Sequence, residues 1–65
     1  MVILGAMQTP DGSWRVEVVR DRGLVWYRVL HLDQVHADGL AIASVERILR
    51  EEARVNMWSL TETAT

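Results

Sequence analysis

Residues 14–29, WRVEVVRDRGLVWYRV, restrict the fold more than any other part of the chain. Two runs rich in β-branched and aromatic residues flank RDRG, the signature of a β-hairpin. Strand side chains alternate with period two, so the length of the connecting loop decides which residues share a face. A three-residue loop pairs Arg20 with Leu24 and sets Val16 opposite Arg28 and Val18 opposite Trp26. A four-residue loop, with Gly23 left-handed, pairs Val19 with Leu24. It sets Trp14 against Val29, Val16 against Tyr27 and Val18 against Val25. The longer loop sorts the apolar residues better, although it places Arg15 opposite Arg28, and it is the preferred reading.

Neighbouring segments extend this hairpin. Residues 2–7 form a short apolar run ending at TPDG, where Pro10 suits the second position of a turn and Gly12 tolerates positive φ. A three-residue loop there pairs Thr9 with Ser13 and puts Ala6 opposite Val16 and Leu4 opposite Val18. Beyond His31, LDQVHADG reads as a tight turn leading into a short fourth strand. From Ile42 the period changes: Ile42, Val45, Ile48, Leu49 and Ala53 make one helical stripe, which predicts a helix over residues 42–54. In NMWSL, Asn56 is a candidate cap for a final turn that lays Met57, Trp58 or Leu60 on the core; an edge strand is the alternative. The polar TETAT end is expected to fray. The fold class is therefore α+β: a three-stranded antiparallel β-meander, with room for a short fourth strand, packed against one C-terminal α-helix as a single domain, 1–65.

This arrangement has one helix and a sheet with two apolar faces. The helix-facing side is expected to carry Leu4, Ala6, Trp14, Val16, Val18, Val25, Tyr27 and Val29. The far side carries Ile3, Met7, Val19, Leu24, Trp26 and Leu30, interrupted by Arg15, Glu17 and Arg28. A cluster of aliphatics around a tryptophan on an uncovered face is characteristic of a binding patch. Length points the same way, because a chain this short buries only about 60% of its unfolded surface and is marginal alone. It has no cysteine, so neither a disulfide nor a thiolate metal site can staple it. The expectation is a homo-oligomer, a dimer for preference, with Ile3, Val19, Leu24, Trp26 and Leu30 at the interface. A second protein is a further candidate partner.

Charge is unevenly distributed. Arg15, Arg20, Arg22 and Arg28 outnumber the acids of residues 13–31, while the rest of the chain is acidic and the net charge is −2. Those four arginines with Trp26 make a small DNA-binding accessory protein the alternative reading, since arginine contacts phosphates and guanine edges. The sequence pI of about 5.5 argues against it. His31, Asp33, His36 and Asp38 have metal-ligand chemistry, but their spacing reads as a polar connecting loop. Ser13, Ser44 and Ser59 are isolated, no GxSxG elbow occurs, and the Asp-Gly pairs at 11–12 and 38–39 are turn formers. No enzyme, cofactor or metal is expected. The opening residues lack the basic start and the apolar length of a signal segment, and no run approaches the roughly 18 apolar residues of a membrane span. A cytoplasmic interaction module without catalytic function, not membrane-associated, is the expectation.

Overall fold

The computed structural model describes residues 1–62. Four strands form an antiparallel meander: β1 (Val2–Gln8), β2 (Trp14–Asp21), β3 (Leu24–His31) and β4 (Gln34–Leu40). A short helix, α1 (Ile42–Ile48), follows and runs into a π-helical turn, Leu49–Ala53. After a 3-10 turn at Met57–Ser59, a two-residue strand, β5 (Thr61–Glu62), returns to the sheet. The sheet order is β4-β3-β2-β1-β5. The class is α+β, with one full strand more than the meander read from the sequence. Among the described residues, no helix is long and apolar enough to cross a membrane.

The central hairpin turns through two residues rather than four. Asp21 pairs with Leu24, and the loop residues Arg22 and Gly23 have φ of 52° and 81°. Two consecutive left-handed residues match the natural twist of the flanking strands, which is why such loops dominate hairpins. An arginine at the first of these positions conceals the turn, because asparagine or glycine usually stands there. Register therefore moves by two residues from the expected one. Val16 faces Val29, Val18 faces Tyr27, and Trp14 faces His31. A shift of two preserves the faces. It also replaces the expected Arg15–Arg28 opposition with Arg15 beside Leu30 and Glu17 beside Arg28.

The first hairpin departs by one residue, with larger consequences. Gln8 pairs with Arg15, and the Thr9 N–H donates to the Trp14 carbonyl at 2.9 Å, so residues 10–13 all lie in the loop. Asp11 organises that loop. Its carboxylate accepts from the Thr9 hydroxyl at 2.6 Å, the Ser13 N–H at 3.0 Å and the Ser13 hydroxyl at 2.8 Å. Ser13 thus turns to Asp11 instead of pairing with Thr9. Met7 accordingly faces Val16 on the helix side, and Ala6 faces Glu17 on the far side, the reverse of the expectation. A register break between Ile3 and Gly5 then returns Ile3 to the far side, opposite Val19.

Helix and sheet meet in a core of Val16, Val29, Val45, Ile48 and Leu49, bordered by Trp14, Tyr27, Ala37, Leu40, Ala53, Val55, Met57 and Leu60. The apolar stripe from Val45 to Leu49 is the one the periodicity picks out, but α-helical geometry stops at Ile48. The π-helical turn ends at Arg54, held at φ 56°, and the Val55 N–H donates back to the Leu49 carbonyl at 3.0 Å. That reversal brings Val55 and Met57 against the core. Of the two readings of residues 55–60, the helical turn is the one found, as the 3-10 turn at Met57–Ser59, and the short edge strand lies just beyond, at Thr61–Glu62. The Trp58 side chain and residues 63–65 lie outside the described part.

Candidate interaction surface

The far side of the sheet has a polar centre. Arg28 lies 3.7 Å from Glu17 and 3.3 Å from Asp38, and Arg15 lies 3.7 Å from Glu17 and 3.9 Å from Asp33. The Trp26 indole N–H donates to Asp38 at 2.9 Å. Burial pushes the Asp38 carboxyl up, but the Gly39 N–H, the Arg28 guanidinium and the Trp26 indole together hold it below the ordinary carboxylate range. The Nε atoms of Arg15 and Arg28 are buried without a hydrogen-bond acceptor, so this lattice holds its cations more by charge than by directed bonds.

The five residues expected at an oligomer interface therefore divide. Val19 and Leu30 are already buried within the single chain. Val19 is flanked across the strands by Ile3 and Trp26, and Leu30 by Arg15 and Val35, where an arginine's aliphatic stem can cover it. Trp26 is half-buried. Ile3 and Leu24 are exposed, at 37% and 69%. They belong to one end of the sheet, the end bearing the Arg22–Gly23 turn, together with Met1, Val2, Leu4 and Val25, all exposed. Val2 and Val25 flank Arg20 on the helix side. Neither joins the core, because the helix packs over Val16 and Val29 and leaves this end uncovered.

The four arginines of the DNA reading do not form one patch. Arg15 and Arg28 are committed to acids on the far side. Arg20 projects to the helix side, beside Val2 and Val25, and Arg22 sits in the turn. No protein-family model, no curated protein and no solved structure matches this chain. What it does has to be read from its own surfaces.

The His/Asp cluster of residues 31–38 is likewise dispersed. His31 stacks on Trp14 with ring centroids 4.1 Å apart, and His36 meets the same indole edge-on at 5.3 Å. The His36 Nε2 lies 3.0 Å from Glu52, tying β4 to the π-helical turn. Asp33 and Asp38 point to Arg15 and Arg28. Among the described residues no group of three or more such side chains is placed to hold a metal ion. Sequence reasoning missed the Trp14–His31–His36–Glu52 grouping, since it draws on four separate elements, β2, β3, β4 and the π-helical turn. The Trp14–His31 pair would have followed from the two-residue loop. A cleft of about 430 Å³ lies beside the chain reversal, lined by Glu46, Arg50, Arg54, Val55, Asn56 and Met57. Its rim of exposed arginines carries no buried polar group aimed inward.

Proposed function

We propose that this chain is a small, non-catalytic protein–protein interaction module that works as a homo-oligomer, in the simplest case a dimer. One observation carries the reading: exposed large apolar residues gather at the uncovered end of the sheet. Met1, Val2, Ile3, Leu4, Leu24 and Val25 all lie there, each more than a third exposed. Single exposed aliphatics are ordinary, but a group gathered on both faces of one sheet end is a liability that association removes. The marginal size of the fold adds to the gain, because a partner that binds only the folded chain stabilises it by mass action.

Sedimentation equilibrium over a low-micromolar dilution series tests this. The expected result is a reversible oligomer that Val2→Glu weakens while far-UV circular dichroism stays unchanged. A folded monomer throughout the series would defeat the reading. The DNA alternative has less support, since two of its four arginines are engaged by acids of the same chain.

A further inference from the structure

Strand β1 has two edges. One pairs with β2 along its length; among the described residues the other carries β5 at Met7 and Gln8. Along residues 2–5 the outer edge of β1 meets no strand among the described residues. This stretch reads VILG, without charge or proline, and Val2, Ile3 and Leu4 are exposed at 49%, 37% and 49%. Sheet edges are normally blunted by charge, proline, irregularity or cover, because bare backbone N–H and C=O groups recruit another strand. The opposite edge, β4, has such protection. It carries His36, Asp38 and a left-handed Gly39 besides its register breaks, whereas residues 2–5 of β1 have only the register break between Ile3 and Gly5.

We propose that residues 2–5 of β1 pair antiparallel with the same residues of a second copy, joining two sheets into one across a two-fold axis. The proposal rests on the homo-oligomer reading and names the surface it uses. A second copy is the occupant because the stretch complements itself. Pairing centred between Ile3 and Leu4 sets Val2 of one copy opposite Gly5 of the other. Both residues belong to the helix side of the sheet, where they pair with Arg20 and Val18. No heavy atom lies within 4 Å of the position a Cβ on Gly5 would occupy, so the valine side chain of the other copy has room there. A two-fold axis perpendicular to the sheet preserves the faces, which this pairing requires. Residues 1–10 contain no charged side chain, so no like charges meet across the axis. Head-to-tail growth would need β1 to dock on the protected β4 edge, so the geometry closes at two copies.

The test combines mass and backbone exchange on the full chain. Sedimentation gives the oligomeric state of the wild type and of Leu4→Lys, which puts a charge on an exposed edge position outside the core. Amide hydrogen exchange, followed by NMR at concentrations above and below dissociation, reports the edge itself. The expected result is a dimer in which the amides of residues 2–5 that point outward exchange about tenfold or more slowly than in the diluted chain. Leu4→Lys should be a folded monomer with unchanged near-UV circular dichroism. A dimer that survives Leu4→Lys and shows no added protection in residues 2–5 would overturn the edge pairing while leaving the homo-oligomer reading in place. A monomeric wild type would overturn both.

Discussion

Replacing Arg22 by asparagine should stabilise the protein, although it removes no clash and adds no core contact. Arg22 is held at φ 52° in the first position of a two-residue loop, with Gly23 at 81° behind it. A residue with a Cβ pays roughly 1–2 kcal/mol for the left-handed region, and asparagine recovers part of this through local hydrogen bonding. The expected gain is about 0.5–1 kcal/mol. The β3–β4 loop has the same form with two such residues, Leu32 at φ 51° and Asp33 at 66°. Leu32→Asn combined with Asp33→Gly gives the preferred Asn-Gly pair. Losing the Arg15–Asp33 contact costs little, because it spans 3.9 Å and Asp33 is almost fully exposed. Glycine gives back part of its gain through the unfolded chain, so this change is again worth about 0.5–1 kcal/mol. The loops lie at opposite ends of β3, so the effects should add, and each kcal/mol should raise Tm by ~4–8 °C in a domain of this size. Urea melts should show a higher midpoint with an unchanged slope. Arg22→Pro is the control: its ring fixes φ near −65°, so it should destabilise the fold by more than about 1 kcal/mol. If Arg22→Asn brought nothing and Arg22→Pro were tolerated, Arg22 would not be left-handed and the two-residue turn would be refuted.

Leu49→Ala, at a fully buried position under the π-helical turn, should cost about 2–5 kcal/mol in a denaturant melt. For so small a fold that is a large share of the total, so circular dichroism should already show partial unfolding in buffer. The first residue before α1, Ala41, is extended at ψ 162° and offers no side-chain cap, so Ala41→Asp should add about 1 kcal/mol. Asp11 is lowered to about 2, first by the Thr9 hydroxyl and then by Ser13. A depressed carboxyl contributes stability above its unfolded value that is lost as pH falls through the folded one. The urea midpoint should therefore drop between about pH 4 and pH 2, less steeply in Asp11→Asn. EDTA should leave Tm unchanged; a drop of several degrees restored by zinc would instead reveal a structural metal.

Alternation in residues 14–31 identifies two strands and their inward side, and the change of period at Ile42 locates the helix and its buried stripe. These survive because hydrophobic patterning encodes parity. A loop of four residues and a loop of two give the same faces, so Val16 and Val29 point to the helix under either. Patterning does not encode register, which depends on backbone hydrogen bonds among a few turn residues. Asp11, flanked by Thr9 and Ser13, lengthens the first loop by one and exchanges Ala6 for Met7 on the helix side. The only trace of this in the sequence is that trio of short polar side chains. Position in the assembled sheet also decides exposure. Val19 and Leu30 carry the same apolar signal as Ile3 and Leu24, yet only the second pair reaches solvent. Their cross-strand neighbours cover the first pair, and those neighbours come from the strands on either side. The edge at residues 2–5, which no strand covers among the described residues, has the same origin, since an edge exists only once the order β4-β3-β2-β1-β5 is known.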